Sequence, residues 1–247
     1  MKTEGRNAVL ELLKTEKTID KLLLEKTPKG TPQGSLGLVF SQARSKNVRV
    51  QFVDKRVLDK ESVTGKHQGV IAFTTDYQYY ELEELIGEKK SAQGGFIILC
   101  DGIEDVHNLG SILRVAECAG ADGVVISKTG CASVTESVIR ISAGAAEHMK
   151  VARVGSLNRA VETLQQNGYW VYALEAGGED IYAQDFSGNV ALIVGGEDGG
   201  VKRLTKERSD KVLSIPLQGK VNSLNASVAL GIAAYEVVKG RLTAKKE

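Results

Sequence analysis

The chain has 247 residues, with 32 Lys+Arg against 31 Asp+Glu and a net charge of +1. That length allows one or two domains with a proper core, and the apolar and charged fractions, 42% and 26%, are those of a globular protein. No apolar run approaches the roughly 18 residues of a membrane span, and the opening Met1-Lys-Thr-Glu-Gly-Arg6 lacks the apolar core of a secretory signal. Cys100, Cys118 and Cys131 have no C-x-x-C spacing and read as free buried thiols in a reducing cytosol. The three histidines lack ligand spacing, so no metal is expected. Near-neutrality hides an asymmetry: residues 1–75 carry 14 Lys+Arg against 8 Asp+Glu, and the remainder carries 18 against 23. A basic front half joined to a mildly acidic rear half points to a polyanionic partner.

In chain order, Arg6 to Lys14 places Ala8, Val9, Leu12 and Leu13 at helical spacing. Ile19 to Leu24 reads as a strand, Thr27 to Gly34 as a Pro/Gly-broken loop and Ser35 to Ser45 as a helix. Val48 to Val53 and Gly69 to Thr74 are further strands, completing a compact α/β unit over residues 1–75. Asp76 to Gly95 reads as a short helical segment plus a flexible joint. From residue 96 to 247 the pattern alternates. Strands are predicted at Phe96 to Cys100, Gly123 to Ser127, Val151 to Val154, Tyr169 to Leu174, Val190 to Val194 and Val212 to Ile215. Between them lie helices at Asn108 to Ala119, Ser133 to His148 (or broken), Leu157 to Gln166 and Lys202 to Arg208, with a last helix after Asn225. Apolar, β-branched strands alternating with helices predict a mainly parallel sheet covered on both faces.

Three stretches carry chemistry. In the first, Asn108 stands at an expected helix N-cap, and Ile112, Val115, Ala116 and Ala119 form the core face. Arg114 falls on the opposite side, beside Gly110 and Ser111, whose small side chains would leave backbone uncovered and make a shallow basic spot suited to a phosphate. In the second, the apolar strand Ala191 to Val194 runs into Gly195-Gly196-Glu197-Asp198-Gly199-Gly200. Glycines there let a ligand approach the backbone, with Glu197 at the strand's carboxyl end. This is neither the G-x-G-x-x-G fingerprint nor a P-loop. In the third, Pro216, Gly219, Ser223 and Asn225 crowd one strand-to-helix turn, the place where α/β proteins bind ligands. Ser223 and Asn225 are good N-cap types. The helix beyond is rich in small residues, and mid-helix Gly231, costing about 1 kcal/mol relative to alanine, predicts a close neighbour.

Taken together, Asn108-x-Gly110-Ser111-x-x-Arg114, Gly195-Gly196-Glu197-x-Gly199 and Ile215-Pro216-x-x-Gly219-x-x-x-Ser223-Leu224-Asn225 resemble the three motifs of the SpoU (TrmH-like) RNA ribose 2′-O-methyltransferases of the SPOUT class. Gly5-Arg6-Asn7-Ala8-Val9 and His67-Gln68-Gly69-Val70 resemble the family's N-terminal RNA-substrate-binding domain, which is L7Ae/L30e-like. The layout is most similar to bacterial 23S rRNA guanosine-2′-O-methyltransferases of the RlmB type. The resemblance implies a substrate-binding α/β domain over 1–75, a linker over 76–95, and a trefoil-knotted catalytic α/β domain over 96–247. It also implies S-adenosylmethionine as methyl donor, held near Leu174, Glu175 and Ala176, Gly195 and Gly196, Ile215 and Leu217, and Leu224, with no metal. Arg114 would activate the 2′-hydroxyl, Ser223 and Asn225 would orient it, Asn108 would fix the arginine loop, and Glu197 would hold these groups in place. The family works as a cytoplasmic homodimer with the active site completed across the interface. A tRNA substrate, a catalytically silent RNA-binding protein and an unrelated Rossmann-type enzyme are the competing readings. Intact Arg114, Ser223 and Asn225 argue against the second, and the missing fingerprint after Phe96 to Cys100 against the third.

Overall fold

The computed structural model describes residues 2–15, 17, 19–26, 32–46, 48–74, 77–87, 93–197 and 199–244. The predicted loop at 27–34 and joint at 76–95 fall partly outside them. The chain divides into two compact units, Met1–Gln78 and Tyr79–Glu247.

The first unit contains β1 (Lys2–Glu4), α1 (Arg6–Lys14), β2 (Ile19–Glu25), α2 (Gly34–Ser45), β3 (Val50–Val53), α3 (Lys55–Glu61) and β4 (Val70–Thr74). Its sheet has the order β1-β4-β2-β3, with β2 and β3 parallel and the other pairs antiparallel. The run Leu22-Leu23-Leu24 is continuously apolar because both sheet faces are covered. Leu22 and Leu24 pack with Val9, Leu13, Val39 and Ala43, and Leu23 packs with Leu58 and Ile71 on the other side. The sequence reading missed β1 and α3; α3 buries only Leu58, too little to give a periodic signal. Gly5 opens α1 at a φ of 89°, a conformation that favours glycine. The two front motifs bind each other: Arg6 donates from Nε to the Gln68 carbonyl (2.9 Å) and from Nη1 to Ser35 Oγ (3.0 Å), while Gln68 Oε1 accepts from the Arg6 amide.

Glu4 closes the turn after α3 by accepting from the hydroxyls of Ser62 and Thr64 and the amides of Val63 and Thr64. These bonds, Ser62's first, push its pKa down to about 2. A carboxyl whose pKa drops on folding stabilises the fold above its unfolded pKa, and that contribution fades as pH falls toward the folded value. Thermal unfolding of Glu4→Gln should therefore converge on the parent as pH falls from the usual carboxylate range to about 2, after lying below it at neutral pH.

The second unit contains α4 (Leu82–Gly87), β5 (Phe96–Asp101), α5 (Val106–Cys118), β6 (Gly123–Ser127), α6 (Glu136–Ile141), β7 (Val151–Val154), α7 (Leu157–Gln166), β8 (Tyr169–Asp180), β9 (Asn189–Gly195), α8 (Arg203–Arg208), β10 (Lys211–Ser214) and α9 (Ala226–Ala244). A 3-10 turn, Ala145–Glu147, follows α6, so the predicted helix at 133–148 is broken. The six strands are parallel throughout, in the order β10-β8-β9-β5-β6-β7. Leu82 and Leu85 of α4, together with Leu157, Val161 and Leu164 of α7, cover one face. On the other side α5 packs with α6 and α9, and α9 lies against β9. Among the described residues no helix is long and apolar enough to cross a membrane.

One irregularity shapes the site. β10 pairs Val212 with Ala173 and then Leu213 with Glu179, so the residues between swing out of that ladder. Gly178 lies against Val212 so tightly that an added Cβ would sit 2.5 Å from the Val212 carbonyl oxygen. The strand predicted to end at Leu174 thus continues to Asp180 around an outward loop.

Candidate active site

The outward loop of β8, the glycine run after β9 and the turn from β10 to α9 surround one cavity of about 660 Å³ at the strands' carboxyl ends. Leu174, Glu175 and Ala176 line it from the first, Gly195, Gly196 and Glu197 from the second, and Ile215, Leu217, Ser223, Leu224 and Asn225 from the third. All eight residues expected to hold a cofactor are therefore brought together. Asn222 and Ser214 also line the cavity and are not among the predicted residues; Asn222 stands in the same polar run as Ser223, which is the available signal.

Two of these glycines also shape the fold itself. A Cβ on Gly195 would overlap the backbone of Gly200 and Val201, and one on Gly196 the carbonyl of Gly102. At these two positions the protein's own backbone makes the close approach. Glu175 adds a further tie by accepting from the Val201 amide at 3.0 Å, with Lys206 Nζ at 3.5 Å.

At the cavity wall the three motifs meet in a closed hydrogen-bonded triangle. Asn108 Nδ2 donates to Glu197 Oε1 (2.8 Å), and Asn225 Nδ2 donates both to Asn108 Oδ1 (2.8 Å) and to Glu197 Oε1 (3.1 Å). Asn225 Oδ1 meanwhile caps α9 by accepting from the amides of Ser227 and Val228 and the Ser227 hydroxyl. Both hydrogens of the Asn225 amide are committed within the protein, which makes Asn225 an organiser of the wall. Glu197→Ala would leave the buried amide donor of Asn108 without its acceptor, at a cost of about 1–3 kcal/mol. Thermal unfolding should register this as a fall of about 2–12 °C, with a smaller fall for Glu197→Gln.

Several expectations are corrected here. Asn108 does not cap α5. Asp105 does, accepting from the His107 amide at 2.7 Å, and Asn108 lies within the helix, 6% exposed, turned toward Glu197. Gly110 does not leave backbone open to a phosphate: a Cβ there would lie 2.6 Å from Ile141 Cγ2, so the glycine permits α6 to pack on α5. Ser223 does not cap α9; it is exposed and makes no side-chain hydrogen bond with the described residues. Gly231 has no close neighbour, since its nearest contact would be Val115 Cγ2 at 4.0 Å. Cys118 is exposed, while Cys100 and Cys131 are buried. Arg114 is exposed on α5, as expected, but does not line the cavity.

Residues 95–235 match the SpoU rRNA Methylase family, and residues 3–80 match the family described as RNA 2'-O ribose methyltransferase substrate binding. The chain belongs to the SpoU family. It is an RNA methyltransferase of that class. YacO of Bacillus subtilis, assigned to the TrmH family of tRNA/rRNA methyltransferases, is 43% identical over 241 residues, covering 96% of this chain and 94% of YacO. Among solved structures, the SpoU methyltransferase AviRb of Streptomyces viridochromogenes, in complex with AdoMet, superposes with a TM-score of 0.61 at 21% identity, covering 98% of this chain and 90% of that one. A protein described in connection with 2-OH methylation of C/U34 on tRNA superposes at 0.56 with 26% identity, covering 62% of this chain and 99% of its own.

Proposed function

We propose that this SpoU-family enzyme transfers a methyl group from S-adenosylmethionine to a ribose 2′-hydroxyl of RNA, with a guanosine of 23S rRNA as target. The carrying observation is the triangle of Asn108, Glu197 and Asn225, drawn from three distant motifs, at the wall of a cavity that every expected cofactor residue lines. The residues fit the donor. The cavity lies within the range of about 300–1,000 Å³ usual for cofactor sites. Its wall combines Gly195 and Gly196, which bring no side chain to it, with Leu217 and Leu224, each 39% exposed and offering apolar cover for a flat ring.

When bound, S-adenosylmethionine supplies an electrophilic methyl on a positively charged sulfur that leaves as a neutral thioether. The protein's tasks are to hold the ribose in line and to stabilise the oxygen as its proton departs. Ser223, with its hydroxyl unengaged at the cavity, takes the ribose hydroxyl by a hydrogen bond. Arg114 stabilises the developing alkoxide and grips the neighbouring phosphate, because an arginine keeps its charge and cannot serve as base. Asn108, Glu197 and Asn225 fix the loops that carry these groups.

The enzyme acts as a homodimer. Val228, Tyr235 and Leu242 recur every seventh residue along α9 and are 50%, 53% and 58% exposed, an apolar stripe suited to a second copy. Gly231 adds no side chain on that helix, and a Cβ there would meet only Val115 Cγ2, at 4.0 Å. Because α5, the helix that carries Arg114, packs on α9, the arginine's helix borders that stripe. The basic front unit and its match to a substrate-binding family favour rRNA, because the tRNA-directed structure corresponds to only 62% of this chain. The test is isothermal calorimetry with S-adenosylmethionine, followed by label transfer to unmodified 23S rRNA and to tRNA transcripts in parallel. Binding with label on rRNA is expected; label on tRNA alone would move the assignment to tRNA, and no binding would end it.

A further inference from the structure

The first unit gathers cations on the sheet face that α3 covers only in part. Leu58 of α3 packs on Leu23 and Ile71, and Phe73, farther along the same face, is half-buried against that group. The register sets Lys2 of β1 and Lys21 of β2 opposite Phe73 of β4, so the three side chains leave one face in a row across three strands. The Lys2 ammonium lies 5.3 Å from the centre of the Phe73 ring and the Lys21 ammonium 4.7 Å. Lys2 Nζ also donates to Glu61 Oε2 and to the Glu61 carbonyl, both at 2.9 Å. The Lys2 bond first, and further down the fields of Lys2, Lys21 and Lys60, hold the Glu61 carboxyl below the usual carboxylate range against the cost of burial. Three lysines thus surround one carboxylate, a net +2, within a stretch where residues 1–75 carry 14 Lys+Arg against 8 Asp+Glu. Glu4, the next side chain on that face of β1, is taken up by the turn after α3.

We propose that this row is where the first unit grips the RNA backbone, with Lys21 and Lys60 on phosphates; the proposal rests on the RNA-methyltransferase reading above. Like charges drawn together repel one another in the free protein, and a polyanion relieves that repulsion. Lysine meets a phosphate as a point charge, with no need for the planar fork of arginine. Phe73 steadies the two ammonium groups beside it, so less side-chain freedom is lost when RNA arrives. The ring is not offered to a base, because both lysines lie over it and stacking would have to displace them. Lys2, tied to Glu61, braces the row. A surface of this kind fixes where RNA lies and reads no sequence, leaving the choice of nucleotide to other contacts.

Filter binding of the full chain to an unmodified 23S rRNA transcript across a salt series tests this. Each phosphate contact adds about 0.7–0.9 to the slope of log affinity against log salt, so Lys21→Gln and Lys60→Gln should each flatten the slope by about that much and the double variant by about twice as much. A transcript of scrambled sequence should lose affinity equally. Glu61→Gln, which removes the carboxylate from among the lysines, should tighten binding. Lys14→Gln is the control, since α1 packs on the other face of the sheet, and its slope should match the parent. Single-turnover methyl transfer at saturating RNA and calorimetric affinity for S-adenosylmethionine should stay parental in the lysine variants, with the loss confined to the RNA concentration that half-saturates the enzyme. Unchanged slopes in both lysine variants, or an equal flattening in Lys14→Gln, would overturn the proposal. So would a loss of about tenfold or more in Phe73→Leu, the size of a lost base stack, by giving the face to a base. A parent that binds no RNA would overturn the RNA reading along with the row, whereas parental binding and methyl transfer with unchanged slopes would remove the row alone.

Discussion

Arg114→Ala is expected to slow methyl transfer by about 10²–10³-fold, the usual effect of removing a preorganised group that stabilises developing negative charge. S-Adenosylmethionine affinity should stay near the parental value, because Arg114 does not line the donor cavity. Arg114→Lys should fall between the two, since it keeps the charge but loses the planar fork. If the arginine acts across a dimer, its loss is also rescuable. Mixing Arg114→Ala with Glu197→Ala, each impaired alone, makes mixed dimers in which one site has an intact cavity from one copy and an intact arginine from the other. With free exchange of subunits, about a quarter of the parental sites return. A mixture no more active than its parts would place Arg114 in the same subunit as the cavity it serves. Single-turnover rates and activity on mixing measure both effects.

Gly195→Ala should abolish donor binding and cost about 3 kcal/mol of stability or more, the upper range for overpacking a site that cannot yield. The added methyl would overlap the backbone of Gly200 and Val201, not the movable end of a side chain. Relief requires the glycine run to separate from itself, and that run carries both the cavity floor and Glu197. Gly199→Ala is the matched control, because a Cβ there meets nothing within 4 Å. Calorimetry and thermal unfolding of the pair separate a backbone collision from a general intolerance of alanine. Equal behaviour of the two variants would show that the close approach at Gly195 is not what shapes the cavity.

The sequence was most legible where burial is two-sided or one face is strongly apolar. The strands of the second unit read as continuous apolar runs because helices cover both faces, and Leu157–Gln166 was bounded correctly because Leu157, Val161 and Leu164 recur at helical spacing against a polar remainder. Residue types around the cavity were also legible: glycines after a strand and a Ser/Asn turn before a helix are local signals. Their partners were not. Asn108 and Asp105 are both good capping types, and the choice between them depends on Glu197, 89 residues away in the chain. Likewise Gly110 and Gly195 announce a close approach without saying to what; the answers, Ile141 and Gly200, are tertiary. Gly231 shows the converse, a costly helical glycine where an added Cβ would make only an ordinary contact, with Val115 at 4.0 Å.

The site at which the methyl group lands is directly measurable. Unmodified 23S rRNA labelled from tritiated S-adenosylmethionine can be hydrolysed completely in alkali, which cleaves every linkage whose 2′-hydroxyl is free and spares any whose 2′-oxygen carries a methyl. Label recovered in an alkali-resistant dinucleotide beginning with guanosine is the predicted result. Label recovered in mononucleotides would mean transfer to a base, and would contradict the arrangement of Arg114, Ser223 and the triangle around a ribose hydroxyl.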